Sequence, residues 1–103
     1  MRRTEFEIKV WAALKKIPRG RVTTYKELAR ILGRPKAARA IGNACGRNPD
    51  APETPCHRVI KSDGGLGGYS GGINKKIALL KKEGVKILKG KVENFKNKLY
   101  KFI

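Results

Sequence analysis

A chain of 103 residues with 25 Lys+Arg against 8 Asp+Glu carries a formal net charge of +17 and has room for one modest core. Such an excess destabilises the compact state by self-repulsion unless an anionic partner relieves it, so nucleic acid is the first expected partner and an anionic membrane surface the second. No apolar run approaches the ~20 residues that span a bilayer, and two Cys with a single His cannot by themselves complete a tetrahedral zinc site, so no metal is expected. Met1-Arg2-Arg3-Thr4-Glu5 leads into an amphipathic pattern with no signal-peptide core, which predicts a cytoplasmic protein with reduced thiols.

Thr4 to Ile17 reads as a helix with Phe6, Val10, Ala13, Leu14 and Ile17 on one face, Trp11 at its edge and Thr4 as N-cap. Pro18-Arg19-Gly20 ends it, and Arg21-Val22-Thr23 is a short extended link. Thr24 opens a second helix, with Glu27 completing a capping-box pattern, Tyr25, Leu28, Ala29 and Leu32 as its stripe, and Gly33 as the residue that closes it. A third helix is predicted from Pro35, a favoured first position, to Gly46, with Ala38, Ile41 and Cys45 inward, Ala37 and Ala44 flanking, and Arg39 and Asn43 elsewhere. Helix, short turn and small-residue helix is the pattern of a helix-turn-helix; the alanines and Gly42 keep the third helix slim enough to approach a nucleic-acid backbone.

Beyond a polar loop with Pro49 and Pro52, Val59-Ile60 fits a short strand and Asp63-Gly64-Gly65 a turn. The run Gly64 to Gly72 has too many glycines for a strand and suits one wall of a pocket, with Tyr69 and Ser70 as its polar handles. Ile73 to Glu83 is a fourth helix with Ile73, Ile77 and Leu80 inward and Gly84 as its stop. Val85 to Leu88 reads as a strand and Lys89-Gly90-Lys91 as a turn. Val92, Phe95, Leu99 and Phe102 recur at spacings of three and four, predicting a short basic amphipathic helix packed on the domain. The expected fold is mostly α: a winged-helix-like helix-turn-helix DNA-binding domain with short strands, one unit over 1–103 with 85–103 as a basic extension.

The chemistry centres on Pro55-Cys56-His57-Arg58-Val59. The sole histidine directly follows a cysteine; an imidazole can draw the thiol proton and Arg58 adds positive charge, both of which favour the nucleophilic thiolate. Cys45, on the inner face of the third helix, reads as a packing residue.

Taken together, Val22-Thr23-Thr24-Tyr25-Lys26-Glu27-Leu28-Ala29, Pro35-Lys36-Ala37-Ala38-Arg39-Ala40-Ile41-Gly42, Asn48-Pro49, Pro55-Cys56-His57-Arg58-Val59, Gly68-Tyr69-Ser70-Gly71-Gly72 and Glu83-Gly84 resemble, in order and spacing, the C-terminal DNA-binding and active-site domain of the O6-alkylguanine-DNA alkyltransferases. The resemblance implies direct-reversal DNA repair: a single-turnover transfer of an alkyl group from O6 of a guanine, flipped out of double-stranded DNA, to the protein's own cysteine, with no cofactor. It implies Cys56 as acceptor, His57 as base through a bound water, Glu83 as the residue orienting His57, Asn48 as the brace of the active-site turn and Tyr25 as a donor to the guanine. Arg39 would fill the gap left by the flipped nucleotide. Thr24, Tyr25, Pro35, Lys36, Ala37, Ala38, Gly42 and Arg47 would contact DNA beside it, and Val59, Gly68, Tyr69 and Ser70 would line the base pocket. The implied protein acts as a monomer, away from membranes. Members of the family commonly carry a further domain ahead of this one, where this sequence has little before Thr4. The short length is also that of the alkyltransferase-like proteins, which bind alkylated DNA without repairing it because another residue replaces the cysteine; since Cys56 is kept, transfer is expected over sensing alone. A sequence-reading transcription regulator is a third class, and it leaves the glycine-rich wall without a use.

Overall fold

In the computed structural model, which describes residues 4–102, helix α1 spans Glu5–Leu14. Thr4 caps it: its hydroxyl accepts from the Glu7 amide at 3.0 Å and the Glu7 carboxylate accepts from the Thr4 amide at 3.0 Å. The helix stops three residues short of Ile17, because Ile17 precedes Pro18 and the proline ring disfavours helical backbone there. Ile17 is still fully buried, its amide bonded to the Leu14 carbonyl in the closing turn. The Trp11 indole N–H donates to the carbonyl of Ala44 at 2.9 Å, pinning α1 to the third helix.

Strand β1 (Thr23–Thr24) runs into α2 (Tyr25–Ile31), and the Thr24 hydroxyl caps α2 by accepting from the Glu27 amide at 3.0 Å. The expected capping box is only half made, since the Glu27 carboxylate instead accepts from Arg30 and from the Phe102 amide. Gly33, at φ 71°, closes α2 with the paired bonds Gly33 N–H to Arg30 and Arg34 N–H to Ala29. Helix α3 then spans Ala38–Gly46, three residues later than predicted. Pro35 sits instead in a turn closed by the Ala37 amide on the Arg34 carbonyl, where its fixed φ serves equally well. The first turn of α3 is exposed, Ala38 included, and the inward face is Ile41, Ala44 and Cys45.

A 3-10 turn, Cys56–Arg58, leads into β2 (Val59–Ile60), which pairs parallel with β1 in the register Thr23–Val59 and Thr24–Ile60. This short ladder joins two apolar clusters. One packs α1, α2 and α3 with Cys56 and Val59; the other gathers Val22, Ile60, Leu66, Leu80, Val85 and Val92. Helix α4 (Ile73–Lys82) does not bury Ile73, which is 43% exposed; the inward positions are Leu80, half-buried Ile77 and, against expectation, Lys76. A hairpin of β3 (Ile87–Leu88) and β4 (Lys91–Val92) follows.

The apolar spacing of the tail does not make the expected amphipathic helix. Val92 belongs to β4, α5 is a single turn (Phe95–Lys98), and the chain from Leu99 on is extended. The backbone ahead of β1 offers unpaired groups that the tail captures: Val22 N–H donates to Lys98 and Tyr100 N–H to Val22, while the Arg21 guanidinium donates to the Lys98 and Leu99 carbonyls.

Gly84 ends α4 in the left-handed region at φ 88°, with Val85 N–H on Leu80 and Gly84 N–H on Lys81, so that Glu83 is held at the helix end. A Cβ at Gly84 would meet nothing within 4 Å, leaving backbone strain as the sole cost. Gly84→Ala is expected to lower unfolding free energy by about 1–2 kcal/mol in urea titration; an unchanged midpoint would contradict this role.

Candidate active site and nucleic-acid interface

The site is built from the end of α3 outward. Asn48 follows α3, its amide on the Cys45 carbonyl, and its side-chain amide donates to the Thr54 carbonyl at 2.7 Å. The same carbonyl accepts from the Cys56 amide at 2.9 Å, closing a tight turn around Pro55 (φ −85°, ψ 69°). Thr54 is also tied to Asp50, through its amide and its hydroxyl. One carbonyl thus couples Asn48 to the backbone of Cys56 and fixes where the thiol stands.

Cys56 lines a cleft of about 230 Å³. Tyr25 from α2 and Gly42, Cys45 and Gly46 from α3 form one side; Gly68, Tyr69 and Ser70 of the glycine-rich loop form the other. Tyr25 is the first residue of α2 because Thr24 caps that helix, so the Thr24 hydroxyl serves the cap. A Cβ at Gly67 would come within 3.2 Å of the Tyr25 ring, so the glycine lets the loop close on that ring. Burial, then the charges of Cys45 and Cys56, push the Tyr25 hydroxyl up to about 12, so it holds its proton at neutral pH. Burial and then Cys56 likewise raise Tyr69.

His57 is 1% exposed and meets the Tyr69 ring edge-on, with centroids 6.5 Å apart. Its Nε2 lies 3.0 Å from Oε2 of Glu83. Arg58 grips the same carboxylate with two bonds, Nε to Oε1 at 2.9 Å and Nη2 to Oε2 at 2.7 Å, and donates Nη1 to the Ile17 carbonyl. Burial raises the Glu83 carboxyl, but the bonds from Arg58 and His57 outweigh it and leave it below its ordinary value, an ionised acceptor. Burial pushes the His57 imidazole down; Glu83 opposes this, and the Arg58 and Lys76 cations add to it. A neutral ring facing a carboxylate through Nε2 carries its proton there. Nδ1, buried and bonded to no protein atom, keeps its lone pair.

Arg39 is exposed in the first turn of α3, three residues before Gly42 and seven before Gly46, hence on the face that borders the cleft. Pro35, Lys36 and Ala38 are exposed on the same side of the chain order, and Ala37 is half-buried. Arg47 pairs with Glu7 at 3.0 Å. Val59 does not line the cleft: it is fully buried beneath it in β2. Cys45 reads from the sequence as packing alone, yet it borders the cleft, and burial, then the charge of Cys56, pushes its thiol up to about 12, which leaves Cys56 as the available nucleophile. A Cβ at Gly42, Gly46 or Gly68 would meet nothing within 4 Å. A glycine inside a helix costs about 1 kcal/mol relative to alanine, and no packing within the chain requires Gly42; what these positions keep clear is the space outside.

Residues 5–85 match the family described as 6-O-methylguanine DNA methyltransferase, DNA binding domain. The chain belongs to that family. A methylated-DNA–protein-cysteine methyltransferase of Methanosarcina acetivorans is 54% identical over 81 residues, covering 79% of this chain and 52% of that protein. Among solved structures, Mycobacterium tuberculosis OGT in complex with DNA is 53% identical with a TM-score of 0.78, covering 81% of this chain and 51% of that one. Schizosaccharomyces pombe Atl1, in complex with damaged DNA containing O6-carboxymethylguanine, is 35% identical with a TM-score of 0.85, covering 99% of this chain and all of that one. The chain thus spans about half the length of the methyltransferases it matches and the full length of Atl1.

The depressed His57 sets a pH dependence. Its ordinary value is 6.5 and its folded value lies below that, so on acidification the unfolded chain takes up a proton that the folded chain refuses. Stability is therefore expected to fall from about pH 6.5 downward through the folded value. The carboxylates lowered in the fold, Glu83 among them, act only below their ordinary 4.5. Urea midpoints flat between pH 6.5 and 5 would contradict a buried neutral His57.

Proposed function

We propose that this chain is a single-turnover DNA repair protein of the cytoplasm, acting as a monomer on duplex DNA that carries O6-alkylguanine and moving the alkyl group to Cys56. The observation that carries this reading is the placement of Cys56 in a cleft between α3 and the glycine-rich loop, with His57 and Glu83 directly behind it. An alkyl carbon on a stacked base is out of reach of a buried thiol, so the nucleotide must leave the stack, at a cost of a few kcal/mol. Arg39, on the exposed start of α3, is suited to enter the vacated space and offset part of that cost.

Within the cleft, the thiol proton passes to Nδ1 of His57 by way of a bridging water, and the sulfur electron pair forms the S–C bond. The C–O6 pair leaves on the guanine, whose developing negative charge is met by Tyr25, still protonated at neutral pH, or by Ser70. Glu83 holds the imidazole and stabilises the imidazolium that forms, while Arg58 keeps Glu83 ionised. Asn48 braces the turn that presents Cys56. The product thioether has no ready leaving group, so the chain is consumed.

The end-to-end match to Atl1 favours a second reading, a sensor of alkylated DNA that leaves the lesion in place. Cys56 with a base in attendance favours transfer. Incubated with a duplex carrying O6-methylguanine, the intact chain is expected to gain the mass of one methyl group, and Cys56→Ser to gain none. Tight binding with no gain in mass would establish the sensor. Arg39→Ala is expected to slow methyl transfer from the duplex at least tenfold, about 1.4 kcal/mol, and reaction with a free O6-alkylguanine base far less. Equal slowing on both substrates would count against its role in flipping.

A further inference from the structure

Lys76 lies mid-way along α4 with no exposed surface. An ammonium is costly to bury unless its donors are met and a counter-charge is near. Its donors are met in full by backbone: the carbonyls of Val59 at 2.7 Å, Leu66 at 2.5 Å and Gly68 at 3.0 Å. Three acceptors around one nitrogen suit the charged form, since a neutral amine has only two N–H groups. Val59 begins the strand that follows Cys56-His57-Arg58, whereas Leu66 and Gly68 belong to the glycine-rich loop, so the one side chain fastens the cleft wall to the nucleophile's own strand.

The counter-charge is not a carboxylate: among the described residues no Asp or Glu comes within 4.0 Å of Lys76. We infer, resting on the alkyl-transfer reading of this site, that Lys76 is a positioning residue for alkyl transfer, its ammonium clasping the glycine-rich wall to β2 and standing as the counter-ion of the Cys56 thiolate. The groups that face this sulfur are Tyr25 from α2, Cys45 from α3, neighbouring His57, Tyr69 from the loop and Lys76 from α4. Tyr25 and Cys45 are pushed up to about 12, Tyr69 is raised and His57 lowered, so these four are neutral near pH 7. Burial brings Lys76 down to about 8, against the opposing charges of Cys45 and Cys56, and it remains the charged member of the set. The Arg58–Glu83 pair is internally compensated. The same cation helps keep His57 neutral, and so able to accept a proton.

The test needs neither DNA nor alkylguanine, so its outcome is separate from that of the proposed repair reaction. The rate at which iodoacetamide labels Cys56, located by peptide mass mapping, is measured against pH for the wild-type chain, Lys76→Met and Lys76→Arg, with thermal unfolding recorded alongside. For folded Lys76→Met the labelling curve is expected to move to higher pH by about one unit, a tenfold slower reaction at pH 7, and Lys76→Arg is expected to restore most of the rate. A folded Lys76→Met whose curve coincides with wild type would overturn the inference. Should that variant fail to fold, the wild-type chain carries the test. The Lys76 ammonium, followed by 15N NMR, is expected to titrate at lower pH once Cys56 is blocked with iodoacetamide, because the blocked sulfur can no longer hold a negative charge. An unmoved titration would equally overturn it.

Discussion

One carboxylate organises the site. Glu83 receives two bonds from Arg58 and one contact from His57 Nε2, all between 2.7 and 3.0 Å. Arg58 ionises it and holds it still; in return, Glu83 settles which nitrogen of His57 carries the proton. Remove that carboxylate and the ring has no reason to leave Nδ1 bare, and Cys56 has no base. A buried ion pair of this kind is not there to hold the fold together, since an apolar replacement of similar volume often does so as well. What it secures is orientation, and Gly84 delivers it by stopping α4 with Glu83 at the helix end.

The remainder of the site follows from keeping a nucleophile both reachable and free of water. Cys56 and His57 are almost entirely buried, so the charge that develops on transfer cannot be met by solvent. It is met by groups already in place: Glu83 for the imidazolium, Tyr25 for the departing guanine. Access comes from what is missing. Gly42 and Gly46 leave one side of the cleft bare and Gly68 the other, and none of the three is demanded by packing inside the chain. Outside the cleft, α3 presents an exposed first turn with Arg39, backed by an excess of lysine and arginine that draws the chain to a polyanion. Chemistry and DNA contact therefore share one helix: its outer start meets the duplex and its inner end borders the thiol.

Much of this is legible in the residues. Thr4, Thr24, Gly33 and Gly84 announce helix ends through local bonds, and each does so in the structure. Cys56-His57 stands out because a lone histidine beside a cysteine is rarely needed for packing. Three features are not legible, each for a physical reason. Pro35 fits the first turn of a helix and the second position of a β-turn equally well, so the local pattern starts α3 too early. The tail keeps helical spacing at Val92, Phe95, Leu99 and Phe102, yet backbone pairing with Val22 overrides it, a long-range contact that no local pattern encodes. Lys76 sits among the solvent-facing lysines of α4 and nothing in its neighbours sets it apart; only the three carbonyls gathered around it do. Cys45 is hidden likewise, because a residue that packs and a residue that borders a cleft share the same helical face.

Alkyl transfer to Cys56 stands on the protonation of a single ring, and 15N NMR of the unreacted chain at pH 7 reads it directly. The two His57 nitrogens are expected to differ, Nε2 resonating as a protonated N–H coupled to its hydrogen and Nδ1 as a bare lone pair. A proton on Nδ1, or a cationic ring protonated on both nitrogens, would contradict the orienting role of Glu83 and leave Cys56 without its base.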